Sequence, residues 1–98
     1  MEIGVFKAAL GGYAGIIQFI GQPPVAVAIV PTEKIGTFSV LLVGKKDQKA
    51  LKIGRADVKN KKALLMVVLD SPLLKSPILA ELDLNADREG NFLLRWER

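Results

Sequence analysis

The sequence predicts an all-β protein: a small antiparallel β-barrel or two-sheet sandwich of about seven to eight short strands. Three observations carry this. No stretch keeps the i, i+3, i+4, i+7 apolar spacing of an amphipathic helix over helical length. Short β-branched or aromatic runs recur instead every ten to fourteen residues. Between them stand Gly, Pro and Asn/Asp clusters that end strands and open turns. With 98 residues, the chain is far below the length at which cores divide, so residues 1–98 form one domain.

The elements follow in order. Ile3–Lys7 is a first strand, turned at Gly11-Gly12. Tyr13–Ile20 is a second, ended by Gly21-Gln22-Pro23-Pro24. Val25–Val30 is a third, stopped by Pro31, which has no N–H to donate to a ladder. Thr37–Val43 is a fourth, closed by Gly44. Leu51–Lys59 is a fifth. Within it the apolar parity shifts from Leu51 and Ile53 to Ala56 and Val58, which marks a bulge near Gly54. Asn60-Lys61-Lys62 is a turn and Ala63–Leu69 a sixth strand. Asp70 to Pro77 is loop, because Pro72 and Pro77 both bar regular structure. Ile78–Leu84 and Asn91–Trp96 close the fold as a hairpin around Asn85–Gly90. One alternative competes: Leu73–Leu84 is rich enough in Leu, Ala and Glu for a turn or two of helix, with Pro77 suited to a first turn.

Several strands are more apolar than a sheet with one wet face requires. Val25–Val30, Val40–Val43 and Ala63–Leu69 do not alternate with polar residues. Each extra Leu or Val side chain buried is worth roughly 1.5–3 kcal/mol, so these strands call for cover on both faces. A homo-oligomer, with a dimer favoured, supplies it; curled strand ends packed by loops are the competing solution.

Composition removes most familiar chemistry. The chain has no cysteine and no histidine. It therefore lacks disulfides, thiolate nucleophiles, zinc-thiolate sites, and the commonest general base and metal ligand. The apolar start does not read as a secretory leader, since Glu2, Lys7 and four glycines interrupt it. The longest apolar run, Ala63–Leu69, is short of the roughly 18 residues that span a bilayer as a helix. A cytoplasmic protein with no membrane partner is the expectation.

Charge is uneven. Residues 45–62 hold eight basic side chains, Lys45, Lys46, Lys49, Lys52, Arg55, Lys59, Lys61 and Lys62, against Asp47 and Asp57, a net of +6. The remainder, with six basic and eight acidic residues, carries −2. A strand and its flanking loops bearing such charge form a candidate phosphate-facing ridge, with weak, nonspecific and salt-sensitive nucleic-acid binding. None of the six aromatics falls in this segment, so stacking of bases is not expected there. The competing reading is that these lysines are gatekeepers solubilising apolar strands.

Other constellations are weaker. Asp83-Leu84-Asn85-Ala86-Asp87-Arg88-Glu89-Gly90 opens like a calcium loop. Arg88 and Leu94, however, stand where the turn glycine and closing glutamate belong. A polar hairpin turn, with Gly90 at positive φ, accounts for it better. Asp70 with Asp57 or Glu81 could form an acid pair, though no spacing singles them out. Ser39, Ser71 and Ser76 have no histidine to activate them. Gly11-Gly12-Tyr13-Ala14-Gly15 lacks the Gly-Lys-Ser/Thr of a phosphate loop and reads as a turn with a narrow spot in the next strand. No catalytic residue, metal site or cofactor is expected. The Pro-bearing loop at Asp70-Ser71-Pro72 and Ser76-Pro77 is a restrained surface of unspecified use.

A set of fragments carries a family resemblance. In order they are Ile3-Gly4-x-Phe6, Gly12-Tyr13-x-Gly15-x-Ile17, Val30-Pro31-x-Glu33-Lys34 and Lys52-Ile53-Gly54. Leu69-Asp70-Ser71-Pro72, Pro77-Ile78-x-Ala80-x-Leu82 and Leu94-x-Trp96-x-Arg98 complete the set. Across essentially the whole chain this resembles the small bacterial domain-of-unknown-function family seven-three-six. The resemblance implies a single all-β domain without established activity, often found among plasmid and conjugative-element genes. It brings no catalytic residues. The chain departs from the family where an Ala-Ala-Trp-Lys-Lys stretch commonly follows the glycine: here Arg55-Ala56-Asp57-Val58-Lys59 follows Gly54. Leu64 or Leu65, and Leu79, replace family aromatics. The expectation is thus a non-enzymatic binding or accessory module, oligomeric through an apolar sheet face, that touches nucleic acid through residues 45–62. A purely structural oligomer or protein-partner subunit is the alternative, and an enzyme using an acid pair is a third reading.

Overall fold

A computed structural model describes residues 1–9, 11–18, 21–43, 50–59, 63–70 and 77–96. The strands are β1 (Glu2–Ala9), β2 (Gly12–Ile17), β3 (Val25–Pro31), β4 (Thr37–Leu42), β5 (Leu51–Lys59), β6 (Leu64–Leu69), β7 (Ile78–Asp83) and β8 (Phe92–Trp96). Each pairs antiparallel with the next, and β8 returns to β1, so the sheet closes into a barrel. Closure leaves no open sheet edge. It also decides between barrel and sandwich.

Sequence patterning explains the wall. Residues pointing in are Ile17, Val27, Ile29, Val40, Leu65, Val67, Leu69, Ala80, Leu82 and Leu94, with Phe6 fully buried among them. Every second residue of β6 and β7 is buried, the period of a sheet with one face inside. Eight strands enclose an interior just wide enough for side chains to fill. The registers also show the tilt a barrel needs. One hydrogen-bonded row runs from Ala8 at the far end of β1 through Tyr13, Ile29, Val40, Gly54 and Leu69 to Ile78 at the start of β7.

Half-buried side chains stopper the two mouths. Tyr13, Phe38 and Phe92 meet at the end where β1 finishes. The Tyr13 ring stands edge-on to Phe92 at 5.1 Å and lies 6.3 Å from Phe38, geometries that aromatic pairs favour. Val25, Leu42 and Trp96 pack against the core from elements ending at the other mouth.

Two irregularities adjust the curvature. Between Val40–Gly54 and Leu41–Lys52 the β4–β5 register slips by one, so Ile53 is the extra residue of a bulge beside Gly54. Ile53 and Gly54 then both occupy inward register, which is the parity shift read from the sequence. A second slip leaves Ile3 as the extra residue opposite β8.

Boundaries differ from expectation in small ways. Pro31 is the last residue of β3, paired with Phe38, rather than the residue that stops it. Ile17 ends β2, and residues 19–20, expected in that strand, lie outside the described residues. The helical alternative for Leu73–Leu84 is corrected over its second half: Ile78–Asp83 is β7, hydrogen-bonded on both sides. Residues 71–76 and 60–62, expected as loop and turn, lie outside the described residues.

The outward residues of the three apolar strands are mostly half-buried within one chain. Ala28, Val30, Leu41, Leu64, Met66 and Val68 are all in this state. Neighbouring side chains on the wall shield one another. Curvature therefore relieves part of the need for cover, most completely on β6, where no outward residue is fully exposed.

Candidate nucleic-acid interface

The basic segment centres on β5. Lys52 pairs across from Leu41, and Arg55 lies between Ser39 and Val68, so both project from the outer wall. Beyond the bulge the outward residues are Arg55, Asp57 and Lys59, all exposed. The bulge is what keeps Lys52 and Arg55 on one face: with strict alternation, residues three apart would point to opposite sides. From Lys52 to Lys59 the row spans about 23 Å at a strand rise of about 3.3 Å per residue. Among the described residues the one ion pair is Arg95 with Asp83, at 3.9 Å, so no described carboxylate pairs with Lys52, Arg55 or Lys59.

The other five candidates, Lys45, Lys46, Lys49, Lys61 and Lys62, lie outside the described residues. In sequence they directly precede and follow β5. Proximity along the chain groups all eight; the fold adds that three of them lie along one strand of the outer wall. A recess of about 510 Å³ opens beside Lys52 and Arg55, completed by Gly54, Val68, Asp70 and Pro77. Its described lining carries two cations and one carboxylate. A second recess, of about 570 Å³, lies outside β1 and β2 and is lined by Glu2, Val5, Ile16 and Gln18 among others. Among the described residues that line it there is no basic group.

The acid pair is not assembled. Asp57 and Glu81 share an outward row, but Met66 of β6 stands between them. Asp70 follows β6 at the opposite end of the barrel, its N–H donating to the Ile53 carbonyl at 2.7 Å. All three carboxylates are exposed. Ser39 lies on β4 with Arg55 across from it, while Ser71 and Ser76 lie outside the described residues.

The 84–91 connection uses its carboxylates as turn acceptors. Asp83 Oδ1 accepts from the Asn85 N–H at 2.9 Å. Asp87 Oδ1 accepts from the N–H groups of Glu89 and Asn91, each at 2.9 Å. Gly90 takes φ of 81°, as a hairpin turn there requires. No cluster of three or more acidic residues with metal-binding geometry occurs among the described residues.

Comparison with known proteins adds no relative: no family model, curated protein or solved structure matches the chain.

Proposed function

We propose that the chain is a non-enzymatic binding module that self-associates through an apolar wall and contacts nucleic-acid phosphates along residues 45–62. The observation that supports this best is the outward alignment of Lys52, Arg55 and Lys59 on β5, within a segment of net charge +6. Such a row binds by releasing condensed counterions, so affinity falls steeply with salt and carries no sequence preference. The described aromatics, Phe6, Tyr13, Phe38, Phe92 and Trp96, lie at the barrel mouths or within the core, which fits backbone contact along this row rather than base stacking.

Lipid is a poor partner for this surface. Lys52, Arg55, Asp57, Glu81 and Arg95 interrupt the outer wall while the lumen is apolar. A transmembrane barrel has the reverse arrangement. The family resemblance, with its plasmid and conjugative-element setting, is compatible with a cytoplasmic accessory role near nucleic acid.

Retention of duplex DNA on a filter, measured across a salt series, tests the proposal. The native chain is expected to bind at low salt. Reversing Lys45, Lys46, Lys61 and Lys62 to Glu is expected to abolish that binding. Equal retention by this variant would remove the reading. A structural oligomer without nucleic-acid affinity then takes its place. That second reading has its own support: Asp57 breaks the cationic row, and Lys52 sits across from Leu41, where a long aliphatic stem can shield an apolar neighbour.

A further inference from the structure

We infer that the recess beside Lys52 and Arg55 seats one ribonucleotide unit, so that the nucleic-acid contact proposed above, on which this inference rests, favours RNA over DNA. The site forms at the β5 bulge. Ile53 is buried and Gly54 has no side chain, so the outer wall between Lys52 and Arg55 is bare backbone. The next strand completes it. Val68 is the Cα partner of Arg55, and the Asp70 N–H donates to the Ile53 carbonyl at 2.7 Å, which sets Asp70 opposite the bulge. Pro77, exposed, precedes Ile78, the partner of Leu69. The recess, about 510 Å³, falls within the roughly 300–1,000 Å³ of small-ligand sites. The outward residues of β2 and β3, Ala14, Ile16, Ala26, Ala28 and Val30, leave that wall bare of charge. Recognition of a charged ligand falls instead to β5 and β6.

The charges of the recess select its ligand. Lys52, Arg55 and Asp70 are exposed, and no ion pair joins this carboxylate to either cation. The two signs stand apart, with room for a ligand group between them. Two cations and one carboxylate sum to +1, which one phosphodiester neutralises. A phosphomonoester brings a second negative charge against Asp70, and an amino-acid zwitterion leaves one cation unmatched. Lys52 and Arg55 are at most about 10 Å apart along the strand, and their long side chains converge on one phosphate. A carboxylate accepts hydrogen bonds and donates none, so Asp70 calls for a donor beside that phosphate. The ribose 2′-hydroxyl is such a donor, and it is the group by which a protein tells RNA from DNA. Deoxyribose offers Asp70 no donor and leaves its charge facing the phosphate. Val68 and Pro77 supply an apolar side for the sugar.

Fluorescence anisotropy at low salt tests this with labelled oligouridylate and oligodeoxyuridylate of equal length, which differ only in the 2′-hydroxyl. The native chain is expected to bind the ribo form about tenfold more tightly, the order of one hydrogen bond to a charged group. A 2′-O-methyl oligouridylate keeps the oxygen and loses the donor, and is expected to bind like the deoxy form. Asp70→Ala retains the backbone N–H that holds the strand pair, and its fold is checked by circular dichroism. It is expected to bring the ratio near unity, chiefly by tightening the deoxy form. Equal binding of ribo and deoxy forms by the native chain overturns the ribose assignment and leaves the phosphate row standing. A 2′-O-methyl form bound as tightly as the ribo form, or a ribo preference that survives Asp70→Ala, overturns the role of Asp70 and with it the inference. Binding of neither oligonucleotide overturns the row as well.

Discussion

Gly15 faces the ring of Phe6 across the β1–β2 pair, and any side chain there has nowhere to go. A Cβ would overlap the Val5 carbonyl oxygen and lie 2.7 Å from the Phe6 Cα and 2.8 Å from its ring. The glycine creates the space that Phe6, fully buried, fills. Gly15→Ala is therefore expected to cost about 1–3 kcal/mol as an overpacking change. Phe6→Ala empties the same space and is expected to cost about 3–5 kcal/mol. Against a total stability of roughly 5–15 kcal/mol, the second change brings the domain near unfolding. Urea melts of the two variants check both values; a Gly15→Ala midpoint equal to the native one would contradict the packing described. Ile35 marks the opposite limit. It is 98% exposed at the tip of a turn fixed by Thr32, Lys34 and Thr37, where the Thr37 hydroxyl donates to the Lys34 carbonyl at 2.7 Å. Ile35→Ser is expected to change stability by no more than about 0.5 kcal/mol in the same melts.

At the scale of elements, β5 joins the fold to the proposed binding. Its bulge at Ile53 keeps Ala56 inside while Lys52 and Arg55 both face out. Charge reversal of Lys52, Arg55 and Lys59 is expected to leave the fold intact, since all three are exposed and outside the ion pair at Asp83 and Arg95. Removing one phosphate contact reduces the steepness of log affinity against log salt by about 0.9. The triple variant should flatten that dependence by roughly 2–3, read from a salt titration of duplex DNA binding; an unaltered slope would place the contacts elsewhere. In the 84–91 turn, Asp87→Ala strips the acceptor from two backbone N–H groups. It is expected to cost about 1–2 kcal/mol by chemical denaturation.

Much of this is legible in the sequence, for identifiable reasons. Turn residues and short β-branched runs are local signals, and they delimit all eight strands to within a few residues. The parity change around Gly54 locates the bulge, because side-chain direction in a strand has a period of two. The basic row is legible as composition, though not as one face. What stays hidden is non-local. Pairing of β1 with β8 joins residues from opposite ends of the chain: the Trp96 N–H donates to the Met1 carbonyl at 2.8 Å. No short-range pattern specifies that contact, so barrel and sandwich look alike in sequence. The bare wall is hidden for a related reason: Val5, Ile16 and Leu41 come onto one side of the barrel only through three successive registers. Apolar runs alone point equally to β6, whose outward residues the barrel half-covers by itself.

For the molecule as a whole, closure solves one problem and leaves another. It satisfies every edge and packs an apolar lumen, but a cylinder has an outside, and the wall centred on β2 and β3 leaves its own without charge. Apolar area removed from water is worth roughly 25 cal/mol per Å², which is the driving force for the self-association proposed above. The cationic row of β5 borders that wall at Lys52 and remains outside it. A dimer would carry two basic rows, so apparent DNA affinity should rise with protein concentration through the dimerisation range. The most direct measurement is sedimentation equilibrium of the native 10.6 kDa chain from low micromolar to hundreds of micromolar. A mean mass climbing toward twice that value with concentration is expected; a single 10.6 kDa species throughout would contradict self-association.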